Sequence, residues 1–244
     1  MHAVGVDGCR AGWAFALEVS GNVQIQVFER LEQVLDRPDL NRIAIDMPIG
    51  LPEGKDRVVE SLARARLGSR KASVFNVPAR SAVYAKSFEE ACALNVAAKG
   101  KKISLQSWYL CPKIKELDAL IRRDETLKSR VFEAHPELIF AALNGSPMAD
   151  SKKREVGQLQ RINVLKKCGI PADRVVEAVY QNYRKSDLQV DDVLDALVLF
   201  WVAKTGGQPI AADAVIDEFG IPANLLVPER SIMEYGSSDD QAGC

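Results

Sequence analysis

Four aspartates stand where catalysis could be built. Asp7 closes the run Val4-Gly5-Val6, Asp46 closes Ile43-Ala44-Ile45, and Asp192 and Asp195 open the apolar stretch Val190 to Val202. A carboxylate that ends a buried strand is costly to hold ionised unless a cation compensates it. Asp192 and Asp195 are three apart, and Asp191 and Asp195 four apart, so either pair shares one face near a helix start. A donor set made only of carboxylates suits hard, oxygen-preferring Mg²⁺ or Mn²⁺. Two such ions about 4 Å apart activate water and stabilise the leaving oxygen in phosphodiester cleavage. A third apolar run, Arg130-Val131-Phe132, also meets an acid, which makes Glu133 the candidate extra ligand or proton-handling group. His135, just beyond it, is a candidate substrate contact.

Each acid also has a plainer role open to it. Asp191 and Asp192 suit a helix cap and its dipole, and Asp191 is the better placed for it. Asp7 and Asp46 suit strand-end turns, and Glu133 could pair with an arginine between residues 51 and 130. Asp195 is harder to explain this way, because Val190, Leu194, Leu197, Val198 and Trp201 make its helix largely buried. Capping or turn formation accounts for each acid singly, but less well for three strands that all run into one.

The elements that must position these acids follow from the pattern. Val4–Asp7, Trp13–Glu18 and Val23–Phe28 read as an antiparallel meander, with Ser20-Gly21-Asn22 as a turn. A short helix over 29–35 ends before Pro38 and leads to Ile43–Asp46, a crossover that favours a parallel placement beside the first strand. Residues 130–134 supply a fifth strand. The expected fold is α/β: a five-stranded mixed sheet in order 3-2-1-4-5, with Asp7 and Asp46 at its carboxyl edge, where ligands bind in such sheets. Residues 51–130 form a large, mainly helical insertion with helices over 56–67, 87–98 and 108–122, and with a loop over 69–84. Ser87 and Glu90 make a capping box for the second of these. Helices over 137–143, 156–168, 173–183 and 190–202 complete the chain. The helix over 156–168 should bury Val156, Leu159, Ile162 and Leu165.

At 244 residues, the chain is expected to form one domain over 1–235 with a loose tail over 236–244. No apolar run reaches about 18 residues, no signal-like segment opens the chain, and the cysteines are odd in number and scattered, so a reduced, cytoplasmic protein is expected. The net charge of −1 hides an asymmetry: Lys55 to Arg130 holds 17 Lys/Arg against 8 Asp/Glu. A basic segment beside an acidic core can hold a polyanion near acid-bound metal, or it can be a set of solvated helix faces. Arg64, Arg70, Lys71, Arg80 and Lys113 are the candidate phosphate contacts, together with Arg10 in the first turn.

The order of elements resembles the ribonuclease H fold, and Asp192-Val193-Leu194-Asp195-Ala196-Leu197 resembles the closing-helix D-x-x-D-A-L pattern of RuvC-type resolvases. Over about residues 3 to 205, the chain more closely resembles a domain-of-unknown-function family regarded as ribonuclease H-like nucleases. Gly5-Val6-Asp7-Gly8-Cys9-Arg10-Ala11-Gly12-Trp13, Ile45-Asp46-Met47-Pro48-Ile49-Gly50-Leu51-Pro52, Ser73-Val74-Phe75, Trp108 to Ile114, Phe132-Glu133-Ala134-His135-Pro136-Glu137 and Asp191 to Leu197 carry the resemblance. It implies a nuclease that acts on DNA or RNA with two Mg²⁺ or Mn²⁺ held by Asp7, Asp46, Asp192 and Asp195. Two other expectations stand beside it. Asp7 to Gly12 also resembles the first-hairpin phosphate loop of sugar kinases and actin-like ATPases, which implies an ATP-dependent phosphotransferase. The third is a non-enzymatic nucleic-acid-binding module with a degenerate site.

Overall fold

Apolar runs near the start of the chain become strands, and the first two bury both of their faces. The computed structural model describes residues 2–229, so the loose tail expected over 236–244, and the domain boundary at 235, lie outside the described residues. β1 (His2–Cys9), β2 (Gly12–Val19) and β3 (Asn22–Phe28) form the meander, with Val6 opposite Phe15 and Ala16 opposite Ile25. Trp13, Phe15, Val4 and Val6 are almost wholly buried, and Phe15 meets Phe28 edge to face at 5.2 Å. A short α1 (Glu32–Leu35) leads to β4 (Leu40–Ile45), which runs parallel to β1 with Val4 opposite Ile43 and Val6 opposite Ile45. With β5 (Val131–Glu133), the sheet order is β3-β2-β1-β4-β5. This mixed α/β sheet has the expected strand order.

The chain divides into two units. The first comprises residues 2–46, 134–208 and 226–229 of the described chain. Beside β1 to β4 and α1, it holds α7 (Pro136–Asn144), α8 (Glu155–Lys167), α9 (Ala172–Val179) and α10 (Val190–Thr205); α2 to α6 and β5 belong to the second unit. α10 lies against β1, and Gly5 is the reason it can. A Cβ built there would stand 2.0 Å from the Phe200 amide nitrogen and 2.2 Å from the Ala196 carbonyl oxygen. Only a residue without a side chain lets the helix backbone settle onto the strand.

α8 departs from the expected face. Val156 and Leu159 are about half exposed, at 52% and 51%, while Gly157, Arg161, Val164 and Leu165 are buried. Burial of Arg161 turns the helix. Its Nη2 donates to both carboxylate oxygens of Glu137 on α7, at 2.7 and 2.8 Å, and its Nε donates to one of them at 2.9 Å, and Gly157 permits close approach to the Ser151 carbonyl.

The second unit comprises residues 47–133 and 209–225, so the insertion expected over 51–130 falls within it, joined by a segment from much later in the chain. It contains α2 (Val58–Leu67), a 3₁₀ turn over Gly68–Ser73, α3 (Arg80–Val83), α4 (Phe88–Lys99), α5 (Leu105–Arg123) and α6 (Leu127–Arg130). Ser87 caps α4 by accepting the Glu90 amide. α5 begins three residues before the expected start, because Ser104 caps it by accepting the Ser107 amide at 3.0 Å. Pro112 therefore sits well inside α5, and one internal hydrogen bond is forgone. Val215–Ile216 pairs antiparallel with Pro222–Ala223. Among the described residues, no helix is long and apolar enough to cross a membrane.

Candidate functional site

Asp7 and Asp46 leave the same end of adjacent parallel strands. The Asp46 amide donates to the Val6 carbonyl at 3.0 Å, and the Ala134 amide donates to the Ile45 carbonyl at 2.9 Å. These bonds fix the edge of the sheet on which both aspartates sit. α10 starts over that edge. Gln189 and Asp192 form a capping box, in which the Gln189 amide donates to Asp192 Oδ2 at 2.9 Å. The capping role thus falls to Asp192 and not, as expected, to Asp191. Asp191 instead receives Lys153 Nζ at 2.6 Å. One turn into α10, Asp195 is completely buried.

Lys152 reaches into this group of acids. Its ammonium donates to Asp195 Oδ2, and the lysine is only about one-third exposed. The loop that carries it is held by α8: Gln158 donates to the Lys152 carbonyl at 3.1 Å, and Arg161 donates to the Asp150 carbonyl at 3.2 Å. The glutamate–arginine pair behind the site thus sets where Lys152 stands.

The electrostatics follow from burial and crowding. Burial raises Asp7 well above the usual carboxylate range, and the charges of Asp195 and Asp46 raise it further. Asp46 is also raised, by burial, against the pull of His135 and Lys152. Burial pushes Asp195 up to about 7 despite Lys152 beside it. Asp192 is raised mainly by burial, with the Gln189 amide opposing. Burial disfavours the charge on Lys152, but Asp195, Asp7 and Asp46 outweigh it and hold its pKa above the ordinary value. Asp7, Asp46 and Asp195 are therefore three carboxyls within electrostatic reach of one ammonium, which bonds directly to Asp195, and their raised pKa values show that ionising all three together is disfavoured.

The donor set fits a hard divalent ion in its chemistry. All the donors are carboxylate oxygens, and Asp195 Oδ1 is buried without a hydrogen-bond partner among the described residues. Among those residues, however, no three acidic, histidine or cysteine side chains are already gathered at metal-holding distance. Lys152 provides the local positive charge instead.

The remaining candidates are placed as follows. Glu133 is bound by Arg57, whose Nη2 donates to both carboxylate oxygens at 2.7 Å, and it accepts the Ile49 amide at 2.7 Å. Burial pushes Glu133 up to about 7 against the pull of Arg57. An ion pair with an arginine of the insertion is thus its observed engagement. His135 is half-buried at the start of α7 and acts electrostatically on Asp46. Arg10 is exposed on the turn after β1. Arg64 and Lys71 line one cavity of the second unit. Arg70 lies half-buried in the 3₁₀ turn, and Lys113 half-buried on α5. Arg80 is a correction to the set of phosphate contacts. It is buried and binds Asp118 at 2.8 Å and Asp217 at 2.6 Å, so its charge is neutralised inside the fold. The sequence reading missed Lys152, Lys153, Glu137 and Arg161. The tandem lysines beside Asp150 were visible, but nothing local ties them to a helix 43 residues on.

A family model described as "Protein of unknown function (DUF429)" matches residues 5–214. No curated protein and no solved structure matches the chain.

Proposed function

The chain belongs to the DUF429 family of proteins of unknown function, and from its acid cluster we propose that it is a divalent-metal-dependent nuclease on a ribonuclease H-like sheet. The observation that carries this reading is that Asp7 of β1, Asp46 just past β4 and Asp195 of α10 lie within electrostatic reach of one lysine, three carboxyls to one ammonium. Mg²⁺ or Mn²⁺, two ions in this reading, would be held by Asp7, Asp46, Asp192 and Asp195 and would supply an activated water and a stabilised leaving oxygen. The protein's own residues prepare the site. Burial keeps the carboxylates short of hydration, so a cation is favoured there. The Glu137–Arg161 pair fixes the Lys152 loop, and Lys152 offsets part of the repulsion among the acids while they hold no ion. Lys152 would also supply an ammonium for a phosphate oxygen of the substrate. The sheet order β3-β2-β1-β4-β5 and the acid-bearing closing helix support the ribonuclease H-like assignment.

The substrate in this reading is DNA or RNA. The test is a melting series with Mg²⁺ or Mn²⁺ plus ATP, DNA or RNA, followed by cleavage gels with Mn²⁺. Stabilisation by metal and oligonucleotide, with Mn²⁺-dependent cleavage, is the expected result. Stabilisation by ATP alone would overturn it in favour of a phosphotransferase, and no response to any metal would leave a binding module with a degenerate site.

A further inference from the structure

The second unit contains a cavity of 630 Å³, within the range of about 300–1,000 Å³ usual for small-ligand sites. Arg64 from α2, Lys71 from the 3₁₀ turn, and Lys101 and Lys102 from the α4–α5 link line it, and no carboxylate does. Lys101 reaches Asp56 at 2.9 Å. Lys71 and Lys102 are exposed and, among the described residues, pair with no acid. Arg64 is aimed by neutral acceptors: it donates to the Val74 carbonyl at 3.2 and 3.1 Å and to Asn76 Oδ1 at 2.6 Å. Its hydrogen bonds thus go to neutral acceptors, and Glu60 acts on it only electrostatically.

Two further features specify the ligand. The 19-residue α5 begins at this wall, with Ser104 and Gln106 lining the cavity. Ser104 already takes the Ser107 amide, but the Leu105 and Gln106 amides have no acceptor among the described residues. A helix start with free amides beside unpaired cations favours a phosphate. Phe75, half-buried in the same wall, presents a ring on which a base can stack. The wall is built rather than incidental. Buried Asn95 accepts the Ala79 amide at 2.8 Å and donates to the Lys101 carbonyl at 2.7 Å, which fixes the backbone that carries Lys101 and Lys102.

We propose that this cavity binds a nucleotide, with its phosphate among Arg64, Lys71, Lys102 and the start of α5 and its base against Phe75. The proposal does not depend on whether the acid cluster cleaves anything. A free nucleotide and one unit of a single strand offer the same chemistry, and the test separates them.

Binding is measured by calorimetry and fluorescence anisotropy in EDTA, so that metal at the acid cluster plays no part. The probes are inorganic phosphate, adenosine monophosphate and a short single-stranded oligonucleotide. The expected result is that the wild type binds the nucleotide or the strand more tightly than phosphate. Lys71→Ala with Lys102→Ala should weaken that binding about tenfold and, for the strand, reduce its salt dependence by about 1.4 in log–log slope. Phe75→Leu should weaken adenosine monophosphate and leave phosphate unchanged. Both lysines are exposed, so circular dichroism should show the double variant folded. Preference for the strand assigns a nucleic-acid subsite; preference for the monophosphate assigns a free nucleotide. A wild type that binds none of the probes, one that binds phosphate as well as the nucleotide, or a folded double variant that binds like the wild type would overturn the proposal.

Discussion

Replacing Lys152 by methionine removes the ammonium from the acid cluster while keeping most of the side chain's volume. Asp195 is completely buried and loses its Lys152 hydrogen bond. Breaking a buried ion pair costs about 3–5 kcal/mol. Lys152 is 32% exposed, so solvent screening reduces the expected loss to about 2 kcal/mol, or about 6 °C in melting temperature for a chain of this size. The loss must depend on pH. Asp195 titrates near 7 with Lys152 beside it. Below that pH it is largely neutral, and the lysine gains little by facing it. Above it, the carboxylate ionises against the ammonium in the wild type only. The destabilisation should therefore be small at pH 5.5 and complete at pH 8.5. Urea unfolding of both proteins in EDTA at the two pH values measures this. An equal loss at both, or no loss at pH 8.5, would refute the claim that Lys152 is the counter-ion of the cluster.

Two more outcomes follow. Gly5→Ala would place a methyl 2.0 Å from the Phe200 backbone in a buried helix; a loss of about 3 kcal/mol or more is expected from such overpacking, seen as a lower urea midpoint, and an unchanged midpoint would mean α10 does not lie on β1 as described. In the metal-free wild type, Asp7, Asp46, Asp195 and Glu133 all have raised folded pKa values, so the folded state binds more protons than the unfolded one and stability should fall as pH rises from about 4 through about 7; unfolding midpoints that climb between pH 5.5 and 8.5 in EDTA would contradict it.

The sheet was legible because its information is local. Val4 to Asp7 and Ile43 to Asp46 are short apolar runs stopped by acids, Ser20 to Asn22 is a turn, and the crossover rule gives the strand order. The aspartates were picked out by the same local pattern, although β1 runs on past Asp7 to Cys9 and Asp195 lies one turn into α10. What was not legible depends on distant partners. The buried face of α8 is set by Arg161 and its pairing with Glu137, 24 residues away, which overrides the apolar stripe at Val156 and Leu159. The assignment of the α10 cap to Asp192 required knowing that Lys153 claims Asp191. Arg80 looked like one more surface cation until Asp217, 137 residues on, closed over it.

The central claim is that Asp7, Asp46 and Asp195 form a cation site, and the most direct test is calorimetric titration of Mn²⁺ into the wild type and into Asp7→Asn, with cleavage of DNA and RNA followed in parallel. Asp7→Asn keeps the size of the side chain and removes one charge from a crowded, buried group, so the variant should fold at least as stably as the wild type in EDTA. It should bind Mn²⁺ at least about tenfold more weakly, since one of the carboxylate ligands is lost, and its Mn²⁺-dependent cleavage should be abolished. A folded Asp7→Asn protein that binds Mn²⁺ and cleaves like the wild type would contradict the account.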